Sequence, residues 1–182
     1  MRDASRAGAD AAWLGMAGSP AAPGAAQAVT LRRLGWDDAP LVQRFVAALS
    51  PRSRHRRFFS AVRELSPGQL RAMTGSGDPR DLALGAFIVH DGASLVGLAQ
   101  CAVADNAVAE VAFAVADAWQ RRGLGERLMG AIVAHARSAG IRALHGTTLA
   151  ENWAMLSLAV RHGFEIVEHE DPQLACVSLR FA

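Results

Sequence analysis

The chain is 182 residues long, with 51% hydrophobic and 20% charged residues, a formal net charge of +2 and a pI near 9.0. Such a length suits one domain that buries roughly two thirds of its unfolded surface. No apolar run reaches the ~20 residues that span a bilayer, and the charge is too mild for nucleic acid as the main partner.

Residues 1–28 read as a flexible Ala/Gly/Pro-rich tail. Ala26-Gln27-Ala28 imitates a signal-peptidase site, but Asp3 and Asp10 stand where a positive region belongs and the apolar part is short. Translation from Met16 is a second reading of this tail. One domain is expected over 29–182, beginning with a strand near 29–34. Asp37 and Asp38 then cap a helix with Pro40 in its first turn, and Leu41, Val42, Phe45, Val46 and Leu49 form its apolar stripe.

A basic turn of helix follows, in which Arg52, Arg54, Arg56 and Arg57 read as a solvated face, with an acidic partner or a cofactor phosphate as the alternative, and Phe58 and Phe59 read as core. Ser66-Pro67 opens another short helix. Strands are expected near 84–90 and 95–103, joined by the hairpin signal Asp91-Gly92, and at 109–115 after Asp105-Asn106. The helix after Gly123 stops at Gly140. A strand at 143–149, a helix at 151–162 and two final strands complete the chain. The order β-α-α-β-β-β-α-β-α-β-β predicts an α/β (α+β) domain with a mixed, mainly antiparallel sheet covered by helices.

The chemistry is concentrated in the stretch from Glu110 to Gly125. On the strand, Glu110, Ala112 and Ala114 share one face, and Val111, Phe113 and Val115 the other. Gly123 and Gly125 leave the next helix start bare, with unpaired N–H groups and the positive dipole end available to a phosphate. An alternative is that these glycines only permit close packing.

Residues 115–125, with Gln120-Arg121-Arg122-Gly123-Leu124-Gly125 at their heart, resemble the acetyl-CoA motif of the GNAT N-acetyltransferase superfamily. Asn152 and then Gly163-Phe164 stand where that superfamily places its second signature. A narrower resemblance, through residues 49–67 and Leu149-Ala150-Glu151-Asn152 with Met155-Leu156, is to the catalytic domain of Pat-type protein lysine acetyltransferases. The resemblance implies a sheet splayed between its central strands, helices on both faces and acetyl-CoA as cosubstrate.

It also implies site residues. The N–H groups of Arg121, Arg122, Gly123, Leu124, Gly125 and Glu126 would meet the pyrophosphate, with Gln120 in the same loop. The main chain of Phe113 and Val115 would pair with the pantetheine arm. Asn152 would hydrogen-bond that arm, or else cap its helix. Glu110 would be the general base. A lysine amine of pKa ~10.4 is neutral in only about one molecule in 2,500 at pH 7, a penalty of roughly 4.6 kcal/mol, so a positioned group must collect its proton. Solvent exposure or an arginine partner is the alternative for Glu110.

The tyrosine that often protonates the leaving thiolate would fall at Ala159, and the chain contains no tyrosine. No general acid is therefore assigned; Ser157 and His162 are the remaining candidates. His145 reads as a structural histidine. Direct attack by an amine in a ternary complex is expected, with a protein lysine favoured over a small amine by the Pat resemblance. A non-catalytic acetyl-CoA sensor is the reading from another class. Cys101 and Cys176 read as free thiols in a cytoplasmic protein, no histidine or cysteine spacing suggests a metal, and a homo-oligomer stays open.

Overall fold

A computed structural model describes residues 28–75, 77–89, 94–105 and 107–181. The expected tail up to residue 27 and the Asp91-Gly92 turn lie outside these. Seven strands form one sheet: β1 (Val29–Arg33), β2 (Leu82–Ile88), β3 (Leu95–Asp105), β4 (Val108–Val115), β5 (Ala143–Leu149), β6 (Glu165–Glu168) and β7 (Leu174–Arg180). Their spatial order is β1-β2-β3-β4-β5-β7-β6, antiparallel throughout except for β4 and β5. That pair is parallel because a helix crosses over between its strands.

Three helices, not two, stand between β1 and β2: α1 (Ala39–Ala48), α2 (Pro51–Phe58) and α3 (Pro67–Thr74). The basic turn is a complete helix because Ser50 caps it, accepting Ser53 N at 3.2 Å, and Pro51 opens it. Ser66 and Gln69 form the capping box of α3. Asp38 occupies the cap position of α1, but its carboxylate instead takes Arg32 at 2.7 and 2.8 Å and Gly35 N at 3.0 Å.

α4 (Leu124–Ser138) and α5 (Trp153–Arg161) cover the other face. Leu128, Met129 and Ile132 pack there with Val111, Leu144 and Val177, while Val42, Phe45, Val46 and Met73 pack with Phe87, Leu98 and Ala114 on the α1–α3 side. The sheet is thus a layer between two cores.

One irregularity positions everything that follows. β4 and β5 pair only at Val108↔Ala143, Ala109↔Leu144 and Glu110↔His145. Beyond that point β4 stays with β3 as far as Val115↔Gly97, and β5 stays with β7 as far as Leu149↔Leu174. The two strands diverge, and the expected splay lies between them.

Candidate active site

The splay opens a cleft of about 560 Å³. Its β4 wall contains Glu110, Phe113 and Val115, and its helix end contains Gln120, Arg121, Gly123, Gly125 and Glu126. Asn152 closes the β5 side with Thr147 and Thr148. Two of the expected residues are not in the lining. Arg122 turns its guanidinium over the Trp119 ring at 5.4 Å, and the Leu124 side chain is buried in the core.

The main chain of β4 has the required free edge. Ala116 N bonds Val96 O at 2.9 Å, so even-numbered residues of β4 aim their N–H and C=O groups at β3. Phe113 and Val115 therefore direct theirs the other way, where β5 has departed. The Val115 carbonyl is already engaged: Gln120 Nε2 donates to it at 3.0 Å and to Ser53 Oγ at 3.1 Å. The Gln120 side chain thus braces the loop.

At the helix start, Arg121 and Gly123 both adopt left-handed backbone, with φ of 60° and 78°. Conformations of this kind gather successive N–H groups on one side, forming an anion nest. Gly123 is the N-cap of α4 and brings no side chain to satisfy the first turn. The residues present therefore fit a phosphate-bearing ligand. Close packing holds for the second glycine as well, since a Cβ at Gly125 would stand 3.2 Å from Leu158 Cδ2.

Glu126 does not cap this turn either. Its carboxylate is paired with Arg161 at 2.7 Å and His162 Nε2 at 2.7 Å, and the Arg161 hydrogen bond chiefly holds its pKa below the usual carboxylate range. The negative charge of Glu126, in the first turn of α4, is in this way offset. It also occupies His162, one of the two general-acid candidates; Ser157 lines the cleft.

Asn152 stands at the N-cap position of α5 without capping it. Its buried Nδ2 donates to Thr148 Oγ1 at 3.0 Å. Glu110 is exposed to the cleft at the last β4–β5 pair, level with half-buried His145, which no described side chain hydrogen-bonds.

Three features carry no local signal in the sequence. The arginine-rich helix is not a solvated face, because α2 lies across β4 and β5: Arg52 is exposed, but Arg54 is buried and Arg56 and Arg57 line the cleft. Their aliphatic stems allow the charge to sit at a partly buried wall. Phe58 packs partly against the core as expected. Phe59 does not: it ends α2 in left-handed backbone with φ of 54°, is 42% exposed, and lines the cleft. Asp117 binds the start of α2, and its partners Ser50 and Ser53 lie 67 and 64 residues away. Only tertiary contact reveals that link.

A family model described as Acetyltransferase (GNAT) family matches residues 50–164. The chain belongs to the GNAT acetyltransferase family. It is 32% identical over 146 residues to an acetyltransferase of Pseudomonas aeruginosa, covering 79% of this chain and 77% of that one. A shorter stretch of 56 residues is 41% identical to acetyltransferase Pat of Mycolicibacterium smegmatis, spanning 31% of this chain and 17% of that protein.

Among solved structures, the GNAT domain of S. lividans PAT superposes with a TM-score of 0.75 at 26% identity, over 84% of this chain and 90% of that domain. An acetyltransferase fold from Salmonella typhimurium, solved with acetyl-CoA, gives a TM-score of 0.65 at 16% identity over 84% of this GNAT chain and 94% of that one. This enzyme is thus an acetyltransferase, and its splayed mixed sheet is the fold of the family.

Proposed function

We propose that this GNAT acetyltransferase binds acetyl-CoA in the β4–β5 cleft and transfers the acetyl group to an amine by direct attack, with Glu110 as the general base. The observation that carries the reading is the placement of Glu110. It is an exposed carboxylate at the apex of the splay, within the same cleft as the free β4 edge and the Gly123 nest. An amine held there gives its proton to Glu110 directly or through one water and bonds to the acetyl carbon, while the sulfur leaves. The main chain of Phe113 and the N–H of Val115 take the pantetheine arm, and the N–H groups from Arg121 to Glu126 take the pyrophosphate. Asn152, fixed by Thr148, supplies a further polar contact.

A protein lysine is the proposed acceptor, supported by the likeness to the Pat proteins. Cytoplasmic residence is supported by two unpaired cysteines; burial pushes the Cys101 thiol up to about 12, which keeps it unreactive.

Thiol release from acetyl-CoA against a panel of proteins, peptides and small amines tests the reading. Glu110→Gln is expected to cut turnover ~100-fold or more while acetyl-CoA affinity holds. Unchanged turnover in that variant across pH removes the base assignment. Release with small amines alone removes the lysine acceptor and leaves the chemistry standing.

A further inference from the structure

The α2 wall of the cleft holds cations that the cosubstrate motif does not account for. Arg56 and Arg57 both line the cleft, and each has an Nε–H sealed from solvent with no acceptor. Leaving a buried donor without an acceptor is costly, more so when it belongs to a charged group. Arg57 is anchored on one side: its Nη2 donates to Gln100 Oε1, and Gln100 Nε2 is tied to Ala72 O at 3.0 Å. Gln100 is neutral, so it positions the guanidinium without balancing it. The Arg56 side chain has no hydrogen bond or ion pair with any described residue.

Glu110 is the carboxylate that acts on Arg57. Burial lowers the Arg57 pKa to about 10 and the Glu110 charge works against that, so the guanidinium stays protonated at neutral pH. Glu110 shares the cleft lining with Arg56 and Arg57 from α2, and its strand neighbours are His145 on β5 and Ala102 on β3. None supplies a second negative charge. When Glu110 takes up the proton of the attacking amine, Arg57 loses the carboxylate charge that acts on it, and Arg56 has no side-chain ion pair among the described residues to begin with.

We propose that the acceptor carries a carboxylate or similar anionic group close to its reacting amine, and that Arg56 and Arg57 bind it. The inference rests on the amine-acetyltransfer reading above and narrows its substrate class. Dicationic acceptors such as polyamines are disfavoured, because their second charge would meet the same wall. Guanidinium–carboxylate pairs are charge-assisted and favour bidentate geometry, which orients the amine towards Glu110.

Two acceptor pairs that differ only in the anion test this. One is a lysine peptide with Glu or Gln beside the lysine; the other is free lysine and lysinamide. The expected result is kcat/KM at least about tenfold higher for the carboxylate member of one pair, with Arg56→Gln and Arg57→Gln compressing that ratio towards one. Arg57→Lys, which keeps the charge, retains most of the ratio. A preference confined to the peptide pair assigns a protein source, and one confined to the free pair a small molecule.

Equilibrium binding of the same four compounds to the CoA-loaded protein reads the ratio without turnover. Absence of turnover with a preserved binding preference therefore overturns the transfer reading and supports the anion site. Preference for the neutral member, or a ratio that survives both glutamine variants, overturns the proposal.

Discussion

The Asp117 carboxylate accepts both the backbone N–H and the hydroxyl of Ser50, at 2.9 and 2.7 Å. With Ser53 Oγ at 2.8 Å, one side chain ahead of α4 closes the start of α2. Ser53 also receives Gln120. The helix bearing the cleft arginines and the loop forming the nest are thereby fastened together.

Asp117→Ala removes this fastening. It is expected to cost about 1–2 kcal/mol in unfolding free energy, as the loss of a helix-capping acceptor does. Acetyl-CoA affinity should also fall, by about tenfold. Titration calorimetry and denaturant unfolding on the same variant separate the two effects.

The same carboxylate contributes to acid stability. Burial raises its pKa, but the hydrogen bonds from Ser50 and Ser53 outweigh that and hold it below the usual 3.8. A pKa lower in the folded state gives stability that is present above 3.8 and lost as the pH falls through the folded value. Melting temperature against pH should therefore drop below about pH 4 in the wild type, and less steeply in Asp117→Asn.

A second, milder pH effect is expected from His135, buried on α4 with its Nε2 on Arg80 O at 2.7 Å. Burial lowers its pKa from 6.5, so the folded state favours the neutral ring. Its contribution is complete above pH 6.5 and declines as the pH falls through the folded value. Unfolding free energy measured between pH 7 and about pH 5 should flatten in His135→Gln.

Gly123→Ala probes the nest. No atom lies within 4 Å of the added Cβ, so the cost arises from the backbone φ of 78° alone, about 1 kcal/mol. If the loop relaxes to avoid it, the N–H groups turn away from the phosphate. The KM for acetyl-CoA should rise several-fold while kcat at saturation holds, measured by steady-state thiol release.

Asn152→Asp distinguishes a ligand contact from a cap. Asp caps helices as well as Asn does, so a capping role is preserved by the change. The side chain makes no cap bond, and its amide N–H to Thr148 is lost in Asp. A higher KM for acetyl-CoA is the expected outcome, together with a lower melting temperature, because a buried hydrogen bond is lost and a carboxylate takes the place of a buried amide.

The order of strands along the chain, the capped start of α3 and the bare start of α4 follow from local rules: alternation, a Ser-Pro cap and paired glycines. Those rules reach a few residues along the chain, so they also placed Glu110 and the nest on the correct elements. The roles of Arg56 and Arg57 exceed that range. A run of arginines reads as solvated unless something covers it, and α2 is covered because it crosses β4 and β5.

The sequence by itself determined the family, the mixed sheet and the loop at 120–125, because these depend on residue type at short spacing. Only the tertiary structure decided which side chains share the cleft. Phe59 was turned into it by the left-handed end of α2, Arg122 was turned out over Trp119, and Gln120 was committed to Val115 and Ser53. The physical reason is the divergence after Glu110↔His145. A wedge between two strands is created by contacts spread over the whole sheet, and it brings together residues that no local pattern joins.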